Sequence, residues 1–374
     1  MIKVLFLIHD LGPGGAEKVL VNLVNNLDET KFDITVMSLF DIGINKQFLK
    51  PHVKYCFCFK HMIRGNIHLM KFLSPAKIHK WLIKDRYDIE ISYLEGPSAR
   101  IISGCQDQKT KLVSWIHIEQ HKYAYSARSF RSIRESIRCY GQFHRTICVS
   151  ECVKNDFLKL YPNIKNIQVL YNTNETEKIH FLAQEPIEDD FFNDDEFYIC
   201  GIGKLDSNKG FDRLLHIQKM LVDHGYPIHV ILLGSGKERK NLEEYSLQNG
   251  LKNKISFLGY QTNPYKYLVR SNLFVCASLA EGFSTATSES LIVGTPVCTV
   301  DVSGMKEMLG ENNEYGVITQ NNETALFRGI KQFLDNPEYL EHYKMQAYER
   351  GKWFSTQNTV KAVERMLEEL FGGN

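Results

Sequence analysis

The chain has 374 residues, a net charge of +1 and 43% apolar residues, which is enough for two domains with full cores and excludes a disordered or fibrous chain. No run of 18 apolar residues occurs, and Met1-Ile2-Lys3-Val4 opens directly into a strand, so neither a membrane-spanning helix nor a signal peptide is expected. Nine scattered cysteines without a C-x-x-C spacing predict reduced, packed thiols in a cytosolic protein, with no disulfide framework and no metal site.

The first half alternates strands with helices. Lys3–His9 reads as a strand, Ala16–Leu27 as an amphipathic helix and Ile34–Phe40 as a second strand. Further strands are predicted at Ile89–Tyr93, Leu112–His117, Thr146–Val149 and Gln168–Leu170. Such alternation implies a parallel, doubly wound sheet over residues 1–174. An acidic stretch, 175–196, with Pro186 and Glu188-Asp189-Asp190, reads as a linker. The alternation restarts over 197–355. Strands are expected at Phe197–Gly203, Ile228–Leu233, Ile255–Gly259, Leu273–Ala277 and Pro296–Asp301, with helices at Phe211–His224 and Glu238–Asn249. The expected architecture is α/β, with two Rossmann-like domains facing each other across a central cleft. The last helix, 356–374, crosses back to the first domain.

Charge divides between these halves. Residues 1–186 carry 26 Lys/Arg against 18 Asp/Glu and the rest 19 against 26, so a partner on one side only is expected. From Ile42 to Lys84 there is no acid, but Lys46, Lys50, Lys54, Lys60, Arg64, Lys71, Lys77, Lys80 and Lys84 alternate with aromatic and apolar residues. A second basic-aromatic stretch runs from His121 to Arg145. An anionic membrane surface, an anionic donor or a partner surface to be steered, or simple solvation would each explain these stretches. No nucleic-acid module surrounds them.

Four loops at predicted strand ends hold the residues with chemistry. Gly12-Pro13-Gly14-Gly15 joins the first strand to the first helix, and can either cradle a diphosphate on backbone amides or serve only as a tight turn. Glu17 stands where a dinucleotide fingerprint needs its third glycine, so that reading fails. In the second half Gly203-Lys204 and Lys209-Gly210 flank another loop, whose lysines either converge on a polyphosphate or are merely solvated. Gly234 sits in a third small-residue loop. Glu281-Gly282-Phe283-Ser284-Thr285 follows a buried strand, and Glu289 lies on the helix that starts there and stops at Gly294. His117, at the end of its strand in the first half, is either a packed histidine or a ligand contact.

Together these residues resemble a known family. Glu281-Gly282-Phe283, Glu289 and Gly294-Thr295-Pro296-Val297 are similar to the signature of glycosyltransferase family 4, retaining enzymes of the GT-B fold. Gly14-Gly15-Ala16-Glu17, His117, Val149-Ser150-Glu151, Val169-Leu170-Tyr171-Asn172 and Gly203-Lys204-Leu205 with Lys209-Gly210 match further landmarks of that family along nearly the whole chain. The resemblance implies that Lys204 and Lys209 hold the donor diphosphate, Glu281 the sugar hydroxyls and Glu289 the ribose. It places His117 beside the transferred sugar and Gly14 and Gly15 near the phosphates. Two departures stand out. Lys204 occupies the place of the family's usual Arg, which turns a bidentate fork into a point charge. Thr285-Ala286-Thr287-Ser288 is small and polar where the family's helix is apolar.

The implied reaction is transfer of a hexose from a nucleoside-diphosphate sugar, a UDP-sugar first among them, to a lipid-diphosphate-linked saccharide of a bacterial surface glycan. The enzyme would work at the inner face of the plasma membrane. A nucleoside diphosphate leaves as a weakly basic anion, so lysines, loop amides and a helix N-terminus can stabilise it without a paired acid and base. No Asp-x-Asp motif occurs, and neither metal nor cofactor is expected. A nucleotide-sugar epimerase of the same architecture and a non-catalytic binding subunit are the alternatives.

Overall fold

The computed structural model describes residues 1–62, 70–187 and 192–372. It divides into two compact units, Met1–Thr173 with Thr356–Asn374, and Asn174–Ser355.

The first unit is built on strands β1 (Ile2–Ile8), β2 (Phe32–Phe40), β3 (Lys54–Phe59), β4 (Ile89–Ser92), β5 (Lys111–Ile116), β6 (Arg145–Cys148) and β7 (Ile167–Val169). They form one sheet in the order β3-β2-β1-β4-β5-β6-β7, and every pairing is parallel. Val4 to Ile8 and Ile89 to Ser92 are buried without interruption, as expected of central parallel strands covered on both faces. The covering helices include α1 (Gly15–Val24), α2 (Pro75–Leu82), α3 (Pro97–Ile102), α4 (Ile133–Tyr140) and α5 (Glu151–Leu160). Edge strand β3 is absent from the sequence reading. Its Lys54-Tyr55-Cys56-Phe57-Cys58-Phe59 is only partly buried, so it lacks the continuous apolar run that marks the inner strands.

The second unit begins with α6 (Thr176–Ala183) and continues as β8 (Phe197–Ile202), α7 (Phe211–Asp223), β9 (Ile228–Leu233), α8 (Arg239–Gln248), β10 (Ile255–Gly259), β11 (Leu273–Cys276), α9 (Thr285–Ile292), β12 (Val297–Val300) and β13 (Val317–Thr319). Helices α10 (Glu323–Asp335) and α11 (Pro337–Gly351) complete it. The sheet order is β10-β9-β8-β11-β12-β13, again wholly parallel. The stretch read as an acidic linker therefore opens with a helix that belongs to this unit. Ile179 and Ala183 are buried, Asn263 donates to the Leu182 carbonyl at 2.8 Å, and Thr176 donates to the Phe354 carbonyl at 2.6 Å.

The last helix, α12 (Thr356–Gly372), returns to the first unit. It buries Val360, Val363, Met366, Leu367 and Leu370, an i, i+3, i+4, i+7 stripe. Each such side chain contributes about 1.5–3 kcal/mol when fully buried. Its polar edge adds a hydrogen bond from the Asp28 amide to Glu364 at 2.8 Å and an ion pair between Lys31 and Glu368 at 2.9 Å.

Candidate active site

Strand order decides where the site lies. In each sheet the order reverses once, between β1 and β4 and between β8 and β11, and the loops leaving the two strands at such a switch point form the ligand crevice of an open α/β sheet.

In the second unit those loops are joined before any ligand arrives. After β8 the chain passes Gly203-Lys204-Leu205 and a single turn, Ser207–Lys209, capped by Asp206, which accepts from the Asn208 amide at 3.1 Å. Gly210 then enters α7 with φ of 63°, and a Cβ there would lie 2.1 Å from the Ala277 carbonyl oxygen. Only glycine allows that approach. The Leu279 amide donates to the Asn208 carbonyl at 2.7 Å, and the Asn208 side chain donates to the Ala280 carbonyl at 2.9 Å. Lys209 runs its stem along Gly203 and sets its ammonium 2.7 Å from Glu281 Oε1. The same oxygen accepts from Ser278 Oγ at 2.5 Å.

The Lys209 and Glu281 side chains are 26% and 10% exposed, so the pair is partly desolvated. Burial disfavours the Lys209 charge, but the Glu281 carboxylate outweighs it, with smaller help from Cys276 and Asp206, and holds the ammonium above the usual lysine range. Lys204, by contrast, is exposed, and its ammonium has no hydrogen bond or ion pair among the described residues. The two lysines therefore play different parts. One is engaged with Glu281 and the other is open to solvent.

Gly234 is placed by steric need. A Cβ on it would fall 1.8 Å from the Gly203 carbonyl oxygen. The loop it belongs to carries the Gly203–Leu205 backbone, with Gly203 donating to the Leu233 carbonyl at 2.9 Å and Leu205 to the Ser235 carbonyl at 3.0 Å. Gly282, Phe283 and Ser284 are buried and lead into α9, whose N-cap Ser284 accepts from the Thr287 amide at 3.3 Å. The polar sequence of this helix is satisfied inside the protein. Ser288 donates to the Thr285 carbonyl at 2.9 Å, Asn174 to Ser288 at 3.3 Å and Ser290 to the Thr295 carbonyl at 2.9 Å. Thr285 at the helix start remains partly exposed, whereas Glu289 is buried.

Sequence reasoning missed Arg213, in the first turn of α7. Its guanidinium donates to the Ala277 carbonyl at 3.0 Å, to the Ser278 carbonyl at 3.1 Å and to Asn321 at 2.8 Å, fastening the loop that carries Glu281. Nothing local marks it, because the partners are brought by strand order.

In the first unit, Gly14 is the N-cap of α1 and supplies no side-chain cap. The Glu17 carboxylate folds back against Gly14, and an anion reaching Gly14 and Gly15 would have to move it. His117 follows β5. Its side chain is buried, and its amide donates to Glu95 Oε2 at 3.1 Å. The imidazole lies 4.9 Å from the Tyr93 ring and stacks on Trp115 at 6.5 Å. Burial drives its pKa down to about 3, against a hydrogen bond to the Tyr93 backbone, so the ring is neutral at pH 7. Among the described residues His117 Nε2, Tyr93 OH and Trp115 Nε1 are buried without a hydrogen-bond partner. Three such atoms in one ring cluster are unusual, and they mark a place that suits a polar ligand.

Glu95 is the second residue that the sequence reading missed. It accepts from the His117 and Glu95 amides and from the Gln120 side chain, and burial raises its pKa. The available signal was its position: Glu95-Gly96 follows β4 as Glu281-Gly282 follows β11. Two groups of described residues offer metal-ligand atoms within 4.8 Å of one another, His79 with Glu90 and Cys105, and Glu119 with His121 and Asp156. Neither includes a predicted site residue.

Two parallel Rossmann-like sheets, each with polar residues gathered at its switch point, are the architecture of the GT-B fold. The chain belongs to the family 4 glycosyltransferases: residues 13–178 match the model "Glycosyltransferase Family 4" and residues 183–350 match "Glycosyl transferases group 1". It is therefore an enzyme that transfers a sugar. Over its whole length the chain is 27% identical to the Campylobacter jejuni N-acetylgalactosamine-N,N'-diacetylbacillosaminyl-diphospho-undecaprenol 4-alpha-N-acetylgalactosaminyltransferase, with 100% of each chain covered. It is 24% identical to a second Campylobacter jejuni enzyme, GalNAc-alpha-(1->4)-GalNAc-alpha-(1->3)-diNAcBac-PP-undecaprenol alpha-1,4-N-acetyl-D-galactosaminyltransferase, over 99% of both chains. Among solved structures, Anabaena HepE in complex with UDP and glucose superposes with a TM-score of 0.80 at 17% identity, covering 99% of this chain and 100% of that one.

Proposed function

We propose that this glycosyltransferase moves a hexose from a UDP-sugar, with retention of configuration, to a lipid-diphosphate-linked saccharide during synthesis of a bacterial surface glycan. The observation that carries the reading is the Lys209–Glu281 pair across the switch point at 2.7 Å. The acceptors named for the two Campylobacter enzymes are polyprenyl-diphosphate saccharides, and the HepE complex contains UDP. Both support the choice of substrates.

In this reading Glu281 accepts hydrogen bonds from the sugar hydroxyls while Lys209 lies between it and the diphosphate. Lys204, which is solvent-exposed, adds a second cation, and the N-terminus of α9 at Ser284 and Thr285 supplies amides. Glu289 receives the ribose hydroxyls, and Gly203, Gly282 and Phe283 line the nucleotide's path. Gly14 and Gly15 approach the phosphates. His117, held neutral, offers Nε2 to a sugar hydroxyl. The bond from the anomeric carbon to the β-phosphate oxygen breaks, and a new bond forms from that carbon to the acceptor oxygen. The acceptor proton goes to the departing phosphate. Charge stabilisation of the leaving diphosphate supplies the rate, with no metal or further cofactor in the scheme. No described helix is long and apolar enough to cross a membrane, and we place the enzyme in the cytoplasm against the inner face of the plasma membrane, where its acceptor is anchored.

A panel of UDP-, GDP- and ADP-sugars, assayed for acceptor-dependent product and nucleotide release, tests this. UDP release with a lengthened lipid-linked saccharide is the expected result. A changed sugar without acceptor or UDP release would mean epimerisation, and absence of any nucleotide-sugar binding would mean a non-catalytic subunit. Full activity of Glu281→Ala with every active donor would remove Glu281 from the site.

A further inference from the structure

The basic stretches are less uniformly charged in the fold than in the sequence. Lys46 pairs with Asp41 at 2.6 Å and Lys54 with Asp33 at 2.7 Å, so acids of β2 and its following loop neutralise part of the 42–84 segment. Arg64 lies outside the described residues. One surface nevertheless keeps its charge. Helix α4 buries Glu135, Ser136, Cys139 and Tyr140 and turns Ile133, Arg134, Ile137 and Arg138 outward, two Ile–Arg pairs one turn apart on the same face.

The acid of this helix is Glu135, the one acid between His121 and Arg145, and it faces inward. Arg100 meets it with two hydrogen bonds at 3.1 and 3.2 Å, and the Arg131 amide adds a third at 2.6 Å. The outward face is therefore purely cationic. Helix α3, packed against α4, carries no acid either. Arg100 also donates to the Met70 and Leu73 carbonyls at 3.0 and 2.8 Å, and Arg131 donates to the Phe72 carbonyl at 2.6 Å and to the Lys71 carbonyl. These bonds tie the Lys71–Leu73 turn to the start of α4 and hold Phe72 outward at 81% exposure. Ile133 and Ile137 are 45% and 42% exposed. One exposed apolar side chain needs no explanation, but several on two fastened elements, ringed by cations, mark an interaction surface.

We propose that the outer face of α4 and the Lys71–Leu73 turn form a docking surface for an anionic lipid bilayer, with Phe72, Ile133 and Ile137 among the headgroups and Arg134 and Arg138 on lipid phosphates. This rests on the lipid-linked acceptor proposed above. Charge selects the occupant. Arginines beside protruding apolar side chains match the phosphate and hydrocarbon layers of an anionic leaflet.

Flotation of the full chain with vesicles of phosphatidylcholine, with and without phosphatidylglycerol, tests the surface. Binding is expected only with phosphatidylglycerol and should be lost in high salt. Arg134→Gln and Arg138→Gln should each weaken it about fivefold. Phe72→Ser combined with Ile133→Ser and Ile137→Ser should weaken it at least about tenfold, at unchanged melting temperature, while Lys237→Gln with Lys240→Gln on the second unit should leave it unchanged. No binding, equal binding to neutral vesicles, or binding insensitive to these variants would each overturn the assignment, including the case where a protein occupies the face. Because the vesicles carry no saccharide, the two readings fail separately. Transfer to a short-chain soluble acceptor without vesicle binding removes the docking surface alone, and vesicle binding without any transfer removes the enzymatic reading alone.

Discussion

The loops after β4 and β11 occupy equivalent positions in their sheets, and each begins its site with Glu-Gly, yet the two glutamates are treated in opposite ways. Glu281 meets an ammonium and a hydroxyl at 2.7 and 2.5 Å, so its charge is balanced. Glu95 meets backbone amides and an amide side chain, and burial pushes its pKa upward. Around it His117 Nε2, Tyr93 OH and Trp115 Nε1 lack partners among the described residues. The edge of the second sheet is charged and already paired, which suits a ligand that exchanges one ionic contact for another. At the edge of the first sheet the buried ring atoms are under-paired, which suits uncharged hydroxyls.

The largest effect that can break this contrast is loss of charge at the second edge. Lys209→Ala should lower kcat/KM for transfer by about two to three orders of magnitude, and Glu281→Gln should fall in the same range, both measured by UDP release. Equal tolerance of these variants would remove the distinction.

Next comes pH. With an ordinary histidine pKa near 6.5 in the unfolded chain and about 3 in the fold, His117 leaves the unfolded state holding an extra proton between those values. Stability should therefore fall as pH is lowered from 7 to 4, by up to about 3 kcal/mol from this group, and His117→Asn should flatten that slope in urea titrations. His79 has the opposite sign. Burial alone would lower its pKa, but hydrogen bonds to Cys105 and Glu90 raise it to about 9. Its contribution is complete below pH 6.5 and lost as pH rises through 9, so His79→Gln should flatten the alkaline limb instead.

A smaller effect sharpens the geometry of the paired edge. Gly210→Ala must adopt a positive φ and displace the Ala277 carbonyl, and should cost about 2 kcal/mol, read as a lower melting temperature. The smallest change should come from Glu95→Gln. Burial already disfavours the Glu95 charge, and a glutamine carbonyl can still accept from the His117 amide, so activity within about threefold of the parent is expected. A loss as large as that of Glu281→Gln would show that the two edges work alike.

The inner strands were legible because residues buried on both faces of a parallel sheet read as unbroken apolar runs, as in Val4-Leu5-Phe6-Leu7-Ile8. Strand β3 was not, since Phe57 and its neighbours are half in solvent, and α6 was hidden by its charges, with Ile179 and Ala183 alone buried. Lys209 and Glu281 could be proposed from their places at strand ends. Their contact could not, because it depends on β8 and β11 being neighbours. Arg213 was invisible for the same reason, whereas Glu95 could have been found from its Glu-Gly place after β4. The positive face was overstated, since Asp33 and Asp41 lie outside the acid-free stretch whose Lys54 and Lys46 they neutralise.

Helix α12 gives the chain a timetable. The first unit needs residues from 356 onward, so its apolar groove for Val363 and Leu367 stays uncovered until the whole second unit has been made. The second unit, contiguous from Asn174 to Ser355, already has all its parts by then. The half that emerges first from the ribosome is thus the last to be finished.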